Sequence, residues 1–217
     1  RVAYTGLRAY NKTRGEYQNA ITASSAPVAE TSRTSATSIA GTNIFYNHVA
    51  IPTTVDEIYT INYYDSYVDV GSGTNPGNNI YNVPISTNVK GLPTVSKVRV
   101  LETDDWITTV TYYDEKGRVI YVYSYNEHLK TTDITEYKLD FTGRVLETTN
   151  THTYDLNNPI VRVDVFEYDH MGRLLSQKQK IDSQAEEVIV DNYYDNLGQL
   201  FGKGVGGKTT NVRLQTV

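Results

Sequence analysis

Residues Gly202-Lys203-Gly204-Val205-Gly206-Gly207-Lys208-Thr209 spell a complete G-x-x-x-x-G-K-T pattern, the one motif here with the lettering of a phosphate cradle. Gly202, Gly204 and Gly207 also fit G-x-G-x-x-G. Phosphate binding needs a helix to follow, so that its N-terminal N–H groups and dipole face the anion. The following residues, Thr210 to Val217, read instead as a strand, and no alternation of strands and helices surrounds them. We therefore read the stretch as a glycine-rich connection after a hairpin ending at Phe201. Gly202, Gly207, Lys208 and Thr209 are then a decoy, and no cofactor is expected.

Other groups with chemical potential also find quieter roles. His48, His128, His152 and His170 have no two-ligand spacing, and His170 reads as solvated, so no metal is expected. Asp104-Asp105 and Glu186-Glu187 could form acid–base couples, but neighbours on a strand point to opposite faces, which makes them surface charge. Tyr121, Tyr123 and Tyr125 share one strand face. They suit either a sugar platform or, better, the packed lining of a sheet. No Ser/His/Asp arrangement is legible, and the chain reads as non-catalytic. Asn11-Lys12-Thr13 is an isolated glycosylation match.

Four octets hold the remaining pattern: Tyr113-Asp114-Glu115-Lys116-Gly117-Arg118-Val119-Ile120, Leu139-Asp140-Phe141-Thr142-Gly143-Arg144-Val145-Leu146, Tyr168-Asp169-His170-Met171-Gly172-Arg173-Leu174-Leu175 and Tyr194-Asp195-Asn196-Leu197-Gly198-Gln199-Leu200-Phe201. They begin at 113, 139, 168 and 194, a near-constant spacing of 26, 29 and 26 residues that marks an array of one supersecondary unit. Asp with Gly three residues on specifies a type I turn. The Asp carboxylate takes backbone N–H groups, and the Gly supplies a left-handed residue for a bulge. Arg or Gln next keeps the strand exit polar.

The flanks are β-branched and aromatic, as in Trp106–Tyr112, Val119–Tyr125, Val145–Thr149, Val161–Phe166 and Val188–Tyr193. The expected fold is all-β, an array of antiparallel hairpins forming a curved ribbon, with one short helix near the N-terminus. That helix is placed at 13–23 by the capping-box spacing of Thr13 and Glu16. Thr22 to Thr42 reads as a surface loop or flexible insertion, and Asn43–Val49 as strand. Tyr63-Tyr64-Asp65, within the strand-like Ile58–Val70, echoes the repeat but lacks its Gly and reads as a decayed copy. Gly71–Asn79 is a loop, and Thr94–Leu101 the next strand. The divisions are thus 1–50, a partial repeat with helix and insertion; 51–101, degenerate strands; and 102–217, the hairpin array.

Of the 217 residues, 19 are Tyr against 4 Phe and 1 Trp, which suits a sheet with a wet face. A net charge of −5 without a basic stripe argues against nucleic acid. No Cys is present, so no disulfide or thiolate site exists, and no apolar run is long enough to span a membrane.

The motif Y-D-x-x-G-R-[LV] at this period resembles the YD repeats of the bacterial RHS (rearrangement hot spot) proteins, a group that includes teneurins and the shell-forming parts of Tc insecticidal toxins. The resemblance is specific over 100–205 and weaker over 55–100. Arg1-Val2-Ala3-Tyr4 is similar to the second half of a motif, and Leu214-Gln215-Thr216-Val217 to a strand opening another unit, as in an interior slice of a longer protein. The resemblance implies a β-ribbon spiralling into a shell around a C-terminal toxic effector, in a secreted or surface-delivered protein. Its partners would be neighbouring repeats of the same polypeptide, the enclosed effector and secretion machinery. The family's self-cleaving acidic core segment has no counterpart here. A cell-surface adhesin binding glycans is the rival reading.

Overall fold

The computed structural model describes residues 1–9, 13–25, 27, 29–50, 54–71, 73–206 and the backbone of 214–216. The chain is mostly strand, with one helix. Hydrogen-bonded neighbours in the main antiparallel sheet follow the order β1 (Tyr4–Leu7), β4 (Glu57–Tyr64), β7 (Pro93–Arg99), β8 (Trp106–Tyr113), β9 (Val119–Asn126), β10 (Thr131–Leu139), β11 (Val145–Tyr154), β12 (Ile160–Tyr168), β13 (Leu174–Ile181), β14 (Glu187–Tyr194), β15 (Leu200–Val205) and β16 (Leu214–Thr216). From β7 onward each strand pairs with its successor in the chain. That is the topology a string of hairpins produces.

The chain divides into two compact units. The first holds Arg1–Asn75, Thr87–Val110 and Asn126–His128. Its helix α1 (Arg14–Ala23) starts at Thr13, whose side chain accepts from the Glu16 N–H while the Glu16 carboxylate takes the Thr13 N–H at 2.7 Å. The capping box therefore forms as its spacing requires. The Ser/Thr/Ala-rich stretch is not a loop throughout. Its first two residues close α1, and Ser32–Ile39 forms β2, paired with β3 (Thr42–Tyr46). Ala40 and Gly41, at φ 48° and 76°, make the tight turn with two left-handed residues that suits a short hairpin. This hairpin packs through aromatics: the Tyr46 ring stacks on Tyr63 at 5.3 Å, and the Tyr63 hydroxyl accepts the Phe45 N–H at 3.1 Å. Tyr63 and Ile44 are both 0% exposed and centre the core of this unit. Burial holds the Tyr63 hydroxyl well above its usual pKa and pushes that of Tyr46 up to about 12.

The second unit holds Pro76–Ser86, Thr111–Tyr125 and Leu129–Val217. Within it β10–β11, β12–β13 and β14–β15 are successive hairpins, each with a register shift beside its turn, at Lys138/Leu139, Glu167/Tyr168 and Tyr193/Tyr194. A glycine bulge at a three-to-five-residue turn has this effect. Tyr121, 5% exposed, meets Tyr112 edge-on at 5.8 Å, while Tyr123 and Tyr125 are half-buried. A small separate hairpin, β5 (Asn79–Ile80) and β6 (Val83–Pro84), turns at Tyr81 and Asn82, both with positive φ. Its Tyr81 hydroxyl reaches Thr149 Oγ1 at 2.7 Å and Glu147 at 3.2 Å.

The glycine-rich stretch also differs from expectation. Gly202 to Val205 do not leave the hairpin at Phe201 but continue β15, opposite Tyr193, Asn192, Asp191 and Val190. Their backbone is committed to a ladder rather than to a loop. Gly207, Lys208 and Thr209 lie outside the described residues, as do Asn11 and Lys12 of the glycosylation match; Leu214–Thr216 is strand.

Candidate functional site

The repeated octets converge on one geometry. In each turn the backbone N–H of Asp114, Asp140, Asp169 or Asp195 donates across the hairpin mouth to the carbonyl of Arg118, Arg144, Arg173 or Gln199, at 2.9 Å in all four. The glycine N–H of Gly117, Gly143, Gly172 and Gly198 returns to the Asp carbonyl at 2.9–3.1 Å. These glycines have φ of 74°, 97°, 83° and 84°. A side chain there would sit in the left-handed region that L-residues resist.

The carboxylates lock the turn from within. Asp114 Oδ1 accepts from the Lys116 and Arg118 N–H groups, both at 2.9 Å. Asp140, Asp169 and Asp195 repeat the pattern with the residues two and four positions on, at 2.8–2.9 Å. In the first three turns Oδ2 takes the arginine Nε as well, at 2.6, 2.7 and 2.6 Å. These side chains are only 3%, 11% and 11% exposed, so each anion depends on its donors. Burial alone would raise the Asp114 pKa, but the Arg118 guanidinium and the two N–H groups outweigh it and hold the carboxyl below its usual range. Asp140 is held well below by the Thr142 hydroxyl first and then by Arg144, and Asp169 lies low through Arg173 and the Met171 N–H against burial.

The arginine does more than keep a strand exit polar. Having clamped its own Asp, it crosses to the following turn. Arg118 Nη1 donates to the Asp140 carbonyl at 2.9 Å. The Arg144 guanidinium lies over the Tyr168 ring at 5.4 Å, and that of Arg173 over the Tyr194 ring at 4.5 Å. The same groups occupy the space beside the next glycine. A Cβ on Gly143 would stand 3.4 Å from Arg118 Cδ, one on Gly172 3.1 Å from Arg144 Nη1, and one on Gly198 2.4 Å from Arg173 Nη1. So the motif's Tyr, Gly and Arg belong to one device: Arg144 and Arg173 are received by the Tyr and Gly of the next turn, and Arg118, where Leu139 replaces the Tyr, by the Asp140 carbonyl beside Gly143. Gln199 lacks the guanidinium, and Tyr113 is buried at 5% exposure.

The copy at Tyr63-Tyr64-Asp65 does have a glycine, although Leu92 stands where the other turns carry Arg or Gln and the glycine N–H meets the Asp65 carboxylate rather than its carbonyl. Its glycine is Gly91, at φ 90°, supplied after an insertion rather than three residues on. Asp65 N–H donates to the Leu92 carbonyl at 3.2 Å, the Asp65 carboxylate takes the Gly91 N–H at 2.5 Å, and Tyr64 stands opposite Pro93 beside the same register shift. Arg1 fills the arginine role. It donates to Asp65 Oδ1 at 3.0 Å, lies over Tyr64 at 5.2 Å and stands 3.7 Å from a Gly91 Cβ position. Residues 66–88 thus interrupt a turn without dismantling it. The Gly91 N–H is the chief cause of the low Asp65 pKa, with Arg1 second.

The remaining polar candidates have local partners. Asp104-Asp105 sits in the β7–β8 connection and not on a strand: Asp104 pairs with Arg99 at 2.6 Å and Asp105 with His128 at 2.9 Å. Glu186 precedes β14, so it and Glu187 are not two strand neighbours either. His152 meets Asp133 at 2.6 Å, His48 meets Tyr4 at 2.7 Å, and His170 is exposed. Among the described residues no group of three potential ligands could hold a metal ion, and no helix is long and apolar enough to cross a membrane.

No family model and no curated protein sequence matches the chain.

Sequence spacing finds the Asp and Gly of the turn but misses two features. Gly91 is hidden because the insertion destroys the interval; Val89-Lys90-Gly91 before the strand at Pro93 was the available signal. The arginine's reach into the next turn leaves no local mark, although its recurrence at one position was visible.

Proposed function

We propose that this chain is a non-catalytic structural segment of a secreted or surface-delivered bacterial RHS/YD-repeat protein, building part of a β-shell that encloses or delivers a C-terminal toxic effector. The observation that carries this reading is the arginine relay, in which Arg118, Arg144 and Arg173 each tie one hairpin turn to the next. The charged groups the repeat carries are spent on neighbouring repeats of the same polypeptide, which is how a wall is extended and not how a reaction centre is equipped. Such a wall grows by adding hairpins edge to edge, and the twist between strands curves it.

The adhesin reading needs exposed tyrosine faces. Tyr121, first of the run, is 5% exposed and packed on Tyr112, which weighs against that platform.

Protease protection of the full-length polypeptide tests the proposal. The effector should resist digestion while the repeats are intact and become sensitive when Gly172 and Gly198 are both replaced by Val. An effector digested at one rate in both forms contradicts enclosure.

A further inference from the structure

The β2–β3 hairpin seats its body on Tyr63, but its tip stands clear of the strands beneath. Between the tip and the row formed by β7 and β8 lies a cavity of about 480 Å³, lined among others by Asn43, Lys97, Arg99, Asp104, Trp106 and Glu127, all of the first unit. Its size falls in the range of about 300–1,000 Å³ typical of small-molecule sites. None of the turn chemistry above uses it.

The charges around it are already matched. Lys97 Nζ lies 2.6 Å from Asp69 Oδ2, and Arg99 is held between Glu57 at 3.2 Å and Asp104 at 2.6 Å, with its Nε donating to the Thr103 carbonyl at 2.7 Å. An anionic ligand would have to take Lys97 or Arg99 from a carboxylate each already holds. A cationic one would meet Lys97 and Arg99 close beside the two carboxylates. What is left unspent is neutral hydrogen-bonding capacity beside an aromatic face. The Asn43 carboxamide and the Trp106 indole N–H make no hydrogen bond among the described residues. Glu127 commits only Oε2, to the Trp106 backbone N–H at 2.8 Å, and Asp104 keeps Oδ2 free at full exposure. Planar carboxylate and carboxamide groups that accept or donate in pairs suit vicinal hydroxyls. The electron-rich indole suits the C–H face of a pyranose.

We propose that this cavity binds a neutral saccharide, as a free sugar or as the terminal residue of a glycan, with Trp106 as the stacking platform and Asn43, Asp104 and Glu127 as hydroxyl partners. The site stands independently of the shell reading, since a wall segment can carry it on either account.

Trp106 is the chain's single tryptophan, so its fluorescence reports on this cavity alone. The 217-residue chain would be titrated with glucose, galactose, mannose, N-acetylglucosamine, N-acetylgalactosamine and fucose at millimolar concentration, and with N-acetylneuraminic acid, choline and inorganic phosphate as charged comparators. The same protein would be applied to an array of immobilised neutral glycans. A saturable change with a neutral sugar, absent with the charged probes, is expected. Asn43→Ala, on an exposed hairpin tip, should weaken it by about tenfold or more without moving the melting curve. Binding to free sugar and array alike marks a monosaccharide site, and array binding alone a glycan terminus. Silence in both formats, equal binding of a charged probe, or indifference to Asn43→Ala would each overturn the proposal.

Discussion

Replacing Gly198 with alanine should cost more than the same change at another left-handed glycine, and the excess should belong to an arginine 25 residues earlier in the chain, Arg173. Gly206 is the control. It lies in the same unit at φ 71° and has nothing within 4 Å of its Cβ position, so alanine there meets only the backbone penalty of about 1–2 kcal/mol. At Gly198, φ 84°, the new methyl would stand 2.4 Å from Arg173 Nη1, and ordinary contact begins near 3.4 Å. The guanidinium must therefore withdraw by roughly 1 Å, which takes it off the Tyr194 ring and forfeits a cation–π contact of about 0.5–1 kcal/mol. The expected totals are about 1.5–3 kcal/mol at Gly198 against about 1–2 kcal/mol at Gly206. Urea unfolding with linear extrapolation resolves this difference. In an Arg173→Ala background the excess should vanish, because the crowded group is gone. The excess should also shrink from Gly198 through Gly172 to Gly143, following Cβ clearances of 2.4, 3.1 and 3.4 Å. Equal costs at Gly198 and Gly206, or an excess that survives Arg173→Ala, would refute the relay.

Other outcomes follow from the same geometry. Removing residues 66–88 joins Asp65 to Val89-Lys90-Gly91 and restores the four-residue turn, so the shortened chain should keep its far-ultraviolet strand signal; loss of β structure would show the insertion to be part of the turn. Asp114, Asp140 and Asp169 ionise more readily folded than unfolded, so their stabilisation is complete above the ordinary aspartate value of 3.8 and drains away as pH falls below it. Urea midpoints should drop through that window, and the drop should shrink when all three are Asn. Arg173→Lys should destabilise the array although the charge is kept, because an ammonium cannot both meet Asp169 and lie flat over Tyr194; an unchanged midpoint would mean that charge alone matters. Tyr81→Phe should raise amide exchange in β5–β6 by releasing the hydroxyl from Thr149 and Glu147.

The hairpin array was legible because its turn is specified within five residues: Asp supplies the acceptor and Gly the left-handed corner. The strand at Ser32–Ile39 was not, since a run of Ser, Thr and Ala has no apolar alternation of its own. It becomes strand by pairing with Thr42–Tyr46 through the Ala40-Gly41 turn, an interaction that composition does not express. The phosphate-cradle lettering starts inside a strand, with Gly202 to Val205 paired to Tyr193, Asn192, Asp191 and Val190, a placement that no local signal in a glycine-rich run expresses. The arginine contacts and the split turn at Gly91 escaped for one shared reason: both are made between segments more than 20 residues apart. The cavity under the β2–β3 tip draws on four separate stretches of chain and had no local signature at all.

In the function proposed above, these hairpins are rungs of an enclosing wall. Electron cryo-microscopy of the full-length polypeptide puts it to the most direct test. The expected density shows consecutive Asp–Gly turns running along a curved wall, with Arg144 and Arg173 seated on Tyr168 and Tyr194 and the effector inside. An open, flat sheet with the effector outside it would contradict the claim.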